Sequence, residues 1–216
     1  GYKILGVIPA FLEHFTGISL VLPALFFSLF SVLNLYLIFL LAQRIGGESK
    51  EAYFALILAI FSQSLFYYSR HLMPYDVAMS FALLSLYVGL SDRVTVKHSL
   101  ICGFCSLCCF VTYNGYWTLV GLAMIMHVLR HSKSLVHIAR KGFFLTVGFF
   151  LPLLGLGVIA ARVGINLLTE YQNFAQTITQ GTFDEGWKLP FAYFWHAEHF
   201  LFVVLILLSI FAILNW

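Results

Sequence analysis

The chain has 216 residues, 61% of them hydrophobic and only 10% charged, with a mean hydropathy of +0.93. Soluble globular domains carry about 25% charged residues, so this composition excludes an ordinary water-soluble domain and points to a membrane protein. The net charge of +3 comes without any basic run interleaved with aromatics, which speaks against a nucleic-acid partner.

The chain opens on "GYKILGVIPAF", with no initiator Met or targeting segment, and stops inside the apolar run "FAILNW". It reads as one partial transmembrane domain over residues 1–216, an internal piece of a longer protein whose first span and first outer loop lie upstream. Residues 1–18, broken by Pro9 and Gly17 and carrying Glu13 and His14, predict an interfacial helix. Apolar runs then predict spans at about 19–43, 52–69, 75–91, 142–161 and 199–216, each suited to a hydrocarbon core of about 30 Å. A single helix over 99–130 would be about 48 Å long, well beyond that core. Two short helices hinged at Asn114–Gly115 fit better.

Charge asymmetry supports the hairpin. Loops at 44–51, 92–98 and 130–141 hold Arg44, Lys50, Arg93, Lys97, Arg130, Lys133, Arg140 and Lys141. The opposite side holds Lys3, Arg70, Arg162 and Lys188. This bias obeys the positive-inside rule only if 99–130 turns back on itself. The expected fold is therefore all-α: a polytopic transmembrane helical bundle of about seven spans with interfacial amphipathic helices. Residues 69–76, 113–117 and 162–198 are then outside the cytoplasm, together with Glu13, Asp76, Glu170, Asp184, Glu185 and Glu198. Within the long outer loop 163–198, Leu167, Leu168, Tyr171, Phe174, Ala175 and Ile178 recur at helical spacing, opposed by Glu170, Gln172, Asn173 and Gln176. That is an amphipathic helix ended by Gly181, lying on the outer leaflet.

Cys102, Cys105, Cys108 and Cys109 have spacing like that of iron–sulfur ligands, but helical periodicity places most of them on one stripe of an apolar span. Cysteine there acts as a small hydrophobe that lets helices approach closely. His98, His127, His131 and His137 fall at or beside basic loops, where interfacial histidine is ordinary, and no bis-histidine haem arrangement is evident.

"FYYSRHLMPYD" (66–76) is different, because Arg70, His71 and Asp76 crowd between two apolar runs. Pro74 suits a helix start, Asp76 an acidic first turn, and Arg70 a snorkelling position. Equally, an ionisable residue at membrane depth is a functional candidate, and arginine holds phosphate bidentately. The residues leave both readings open. His196 and Glu198 in "FWHAEHF", just before the last span, pose the same alternative.

The stretches "LVLPALFFSLFSVLNLYLIFLLAQRIGG", "AYFALILAIFSQSLFYYSRHLMPYDVAMSFALLSLYVGL" and "LICGFCSLCCFVTYNGYWTLVGLAMIM", with the long loop before "LPFAYFWHAEHF", resemble the GT-C membrane glycosyltransferases. The nearest branch is the dolichyl-phosphate-mannose–protein mannosyltransferases and their bacterial aminoarabinose-transferase relatives. The resemblance implies transfer of a sugar from a polyprenyl-phosphate donor to an acceptor protein or glycolipid, with inversion. It implies a multi-pass protein of the bacterial inner membrane or endoplasmic reticulum, surrounded by membrane lipids and active on the periplasmic or lumenal face. Asp76 matches a second acidic position of that family, the principal base being expected upstream of Gly1. Asp76 and Glu198 are the catalytic candidates, with Arg70, His71 and His196 toward the substrate. No resident cofactor is required by this reading, and a divalent metal stays open. Where the family often shows Arg before "LPSAL", this chain has Val21 in "LVLPAL", leaving Arg70 as the nearer cation. A transporter or flippase, or a non-catalytic membrane subunit, are the competing readings. Charges gathered at one face rather than at the midplane favour interfacial chemistry over transport.

Overall fold

A computed structural model describes residues 7–19, 21–65, 74–91, 95–130, 132, 134–180 and 188–214. Among these every regular element is helical: α1 (Val7–Thr16), α2 (Val21–Arg44), α3 (Ser49–Ile60), α4 (Tyr75–Gly89), α5 (Val96–Thr112), a 3-10 turn (Asn114–Tyr116), α6 (Trp117–Leu129), α7 (Leu135–Arg162), α8 (Leu167–Gln180), α9 (Lys188–Glu198) and α10 (Phe200–Leu214). The all-α expectation and the division of 99–130 at Asn114–Gly115 both match. Two helices, α2 and α7, are long and apolar enough to cross a membrane. Four shorter apolar segments accompany them: Tyr75–Gly89, Val96–Thr112, Thr118–Leu129 and Phe200–Phe211.

The described chain divides into two compact units: residues up to Ile60 with Leu65–Leu153, and Phe61–Ser64 with Leu154 onward. In the first, α4 packs against α2, α5 and α6. Leu37 and Leu41 of α2 meet Leu83 and Leu90, while Ala78 and Ala82 of α4 meet Cys109 and Val120. Small residues on α4 let its neighbours come close, the usual device where lipid gives no hydrophobic drive between helices. The α5–α7 contact is tighter still: a Cβ on Gly103 would strike the Leu145 carbonyl, and one on Gly148 the Leu100 carbonyl. Cys102, Cys105 and Cys109 are buried on α5, and Cys102 Sγ lies against Gly89 of α4.

Helix α2 is turned inside out relative to a soluble amphipathic helix. Val21, Leu25, Leu29, Val32 and Tyr36 form an exposed apolar stripe, whereas Asn34 is buried beside Leu37 and Leu41. Only 22% of the apolar window of α2 is buried, and 11% of that of α7, so neither is the core helix of a water-soluble domain.

Both long helices end by the same device. Gly46 and Gly164 take left-handed φ values of 109° and 75°. Gly47 and Ile165 then donate back to the Ala42 and Ala160 carbonyls, satisfying groups that a helix end leaves open. Helix α7 begins earlier than expected, at Leu135, so Arg140 and Lys141 belong to its first turns and not to a loop.

The expected span 52–69 is interrupted. Helix α3 stops at Ile60, its 12 residues spanning about 18 Å, too short to cross. Helical geometry resumes at Gln63 after a break at Phe61–Ser62; residues 66–73 lie outside the description. The polar triplet Ser62–Gln63–Ser64 marks the break: the Ser62 hydroxyl and the Gln63 and Ser64 amides bond to the Glu198 carboxylate. In the second unit, Asn166 Oδ1 accepts from the Leu168 and Thr169 amides and caps α8, which starts where the amphipathic helix read from the sequence does; its expected end, Gly181, lies outside the described residues. His199, with φ at 44°, breaks the chain between α9 and α10.

Candidate functional site

Asp76 occupies the first turn of α4, immediately after Pro74, whose fixed φ of −74° suits the position before the helix. Pro74 offers no side-chain cap, and the carboxylate in the first turn lies near the partly positive N-terminus. The residue is only 5% exposed. Its Oδ2 accepts a 2.5 Å hydrogen bond from the Ser31 hydroxyl of α2. One turn on, the Asn34 amide donates to the Asp76 carbonyl at 3.0 Å. The Ser80 hydroxyl lies 2.6 Å from Asn34 Oδ1 and 2.9 Å from the same carbonyl, and its single hydrogen serves one acceptor at a time. Ser31, Asn34, Asp76 and Ser80 thus form a polar seam between two apolar helices.

A cavity of about 180 Å³ adjoins the seam. Ser31, Asn34 and Asp76 give it one polar wall, and Leu35, Ile60 and Leu65 apolar ones. Ligand pockets run to about 300–1,000 Å³, so this space suits a reacting hydroxyl or a small group and not a whole sugar donor. Tyr75 and Tyr113 meet edge to face at 4.6 Å beside the helix start, and Tyr113 and Tyr116 at 5.5 Å.

Glu198 closes α9 and is 6% exposed. Its carboxylate accepts from Ser62 Oγ at 2.8 Å, the Gln63 amide at 3.0 Å and the Ser64 amide at 2.8 Å. Both oxygens are occupied, and two of the donors are backbone amides of the helical turn that resumes at Gln63. Burial by itself would raise the pKa of the carboxyl. The donors on Ser64, Ser62 and Gln63 together outweigh burial and hold the carboxyl below the ordinary glutamate value. Glu198 is therefore a cap across the break in the second apolar run. His196, two residues away, is exposed on another side of the helix and does not join it.

Of the five residues singled out from the sequence, Asp76 and Glu198 are buried and hydrogen-bonded, and His196 is exposed. Arg70 and His71 lie outside the described residues. Sequence reasoning missed Ser31, Asn34 and Ser80. Their signal was available: Ser31 and Asn34 are three apart in an apolar run, and Ser80 is one turn from Asp76. It also missed His127, read as interfacial, which is fully buried. His127 Nδ1 donates to the Gly89 carbonyl at 3.0 Å, which leaves Nε2 of the neutral ring to accept from Ser99 Oγ at 2.8 Å.

Comparison of the chain with protein-family models, with characterised proteins and with solved structures finds no match.

Proposed function

We propose that this chain is a membrane-embedded part of a multi-pass glycosyltransferase that takes its sugar from a polyprenyl-phosphate carrier at the outer membrane face. Support for a multi-pass membrane protein comes from the inverted burial of α2, apolar outward and Asn34 inward, and from the gathering of basic residues on alternate connections. Support for chemistry comes from a single observation: a buried carboxylate, Asp76, beside a small cavity at the end of an apolar helix. The resemblance of the helical run to the GT-C enzymes supplies the reaction class.

In this reading Asp76 assists the upstream principal acid. A carboxylate takes the proton of the acceptor hydroxyl as its oxygen bonds to the anomeric carbon. The bond from that carbon to the carrier phosphate breaks, and its electron pair leaves with the phosphate. Displacement from the opposite face inverts the anomeric centre. Arg70 is the cation assigned to the leaving phosphate.

The 2.5 Å bond from Ser31 favours a second reading, in which Asp76 only locks α4 to α2 in a non-catalytic subunit. The two separate in one experiment on the full-length protein. Asp76→Asn keeps an oxygen for Ser31 but cannot take a proton. Sugar transfer lost with unchanged thermal stability supports the catalytic reading, whereas normal turnover leaves Asp76 as a lock.

A further inference from the structure

The first turns of α5 and α7 enclose a second cavity, of about 670 Å³, unrelated to the Asp76 seam. Lys97, His137, Arg140 and Lys141 line it together with the apolar side chains of Val96 and Phe144. We propose that this cavity binds an anionic phosphate group, of the kind carried by a lipid headgroup.

Three observations converge on that chemistry. Lys141 is 9% exposed, and among the described residues its ammonium donates only to neutral carbonyls, those of Arg130 and of His127, the latter at 3.4 Å. Those carbonyls close the C-terminus of α6 and fix the ammonium in place, but they carry only about half a charge in compensation. A buried cation without an anion is costly, and a ligand that supplies the anion recovers that cost. Next, Lys97 and Arg140 are exposed at the rim, and among the described residues no carboxylate pairs with either. Finally, the cap of α5 is unmade. Thr95 precedes the helix but does not bond its amides; its hydroxyl lies 2.7 Å from His98 Nδ1 instead. The first amides of a 17-residue helix therefore remain available beside three cations.

Headgroup and free phosphate share this chemistry, and the surroundings favour the headgroup. Helix α7 leaves the cavity as an exposed apolar helix, with Phe143 and Phe150 outward, so an acyl chain has a surface to follow.

The test uses the detergent-purified chain titrated with short-chain phosphatidylglycerol, with phosphatidylcholine and with inorganic phosphate, read by thermal shift and native mass spectrometry. The double variant Lys97→Ala/Arg140→Ala changes only exposed side chains, and Lys50→Ala removes an exposed cation elsewhere. Phosphatidylglycerol affinity should fall about tenfold or more in the double variant and stay unchanged in Lys50→Ala. Competition by inorganic phosphate at similar concentration supports the phosphate site with the free ion as its source; its failure to compete supports the lipid. Equal binding of phosphatidylcholine, equal loss in Lys50→Ala, or undiminished binding in a folded double variant overturns the proposal.

Discussion

Ser31 and Asp76, 45 residues apart, are joined by a 2.5 Å hydrogen bond that links α2 to α4 through the most polar point of either helix. The bond explains why two apolar helices meet in one register. Sliding α4 by a turn would leave a carboxylate, an amide and a hydroxyl facing hydrocarbon, each at a cost of several kcal/mol by order of magnitude.

Ser31→Ala should lower thermal stability by about 1 kcal/mol, the net worth of one such bond between membrane helices. Asn34→Leu should cost more, since it removes both the amide bond to the Asp76 carbonyl and the Oδ1 acceptor of the Ser80 hydroxyl, leaving Ser80 only the carbonyl to bond. Equilibrium unfolding in mixed detergent measures both. An Asn34→Leu variant as stable as the parent would deny the seam any structural role.

Glu198 gives the chain an acid sensitivity with a defined sign. Its pKa is lower in the folded chain than in the unfolded one, so its contribution is complete above the ordinary glutamate value of 4.5. That contribution is lost as the pH falls below 4.5 toward the folded pKa. Glu198→Gln should flatten the dependence of melting temperature on pH in this window, and should lower stability at neutral pH by removing charge-assisted bonds to Ser62, Gln63 and Ser64. Parallel pH–stability curves for parent and variant would contradict the cap.

His127→Phe should cost about 1–3 kcal/mol by leaving the Ser99 hydroxyl and the Gly89 carbonyl without their ring partner. His127→Asn recovers at most one of the two bonds and should fall between. Melting temperatures of the three proteins order them.

The crossing of α5 and α7 should reject any added side chain. Gly103→Val or Gly148→Val must displace a backbone carbonyl and should abolish folded, monodisperse protein. Gly121→Ala, where nothing lies within 4 Å, should be silent. Size-exclusion profiles after detergent extraction distinguish them.

Much of this fold can be read locally. The lengths of the apolar runs give α2 and α10, the 3.6-residue period gives α8, and Asn114–Gly115 gives the turn between α5 and α6. Pro74 marks the start of α4. The interruption after Ile60 escapes such reading, because the carboxylate that accepts from Ser62, Gln63 and Ser64 lies far along the chain. The partners of Asp76 escape it for the same reason: Ser31 and Asn34 look incidental until α4 is laid against α2. His127 looked interfacial because it follows an apolar run and precedes a basic loop, whereas Ser99 and Gly89, which bury it, come from other helices. Local patterns specify elements; which polar groups meet is decided by the packing of elements remote in sequence.

The Glu198 cap also sets an order of events during synthesis. Ser62 is made 136 residues before the carboxylate that receives its hydroxyl, and the Gln63 and Ser64 amides wait nearly as long. Until α9 emerges, the three donors after Ile60 must be served by water or by passing partners. Closure of the joint is a late latch, and it certifies that the C-terminal helices have been delivered. A chain arrested before Glu198 should carry a loose second run that proteases reach, and one released just beyond it should not.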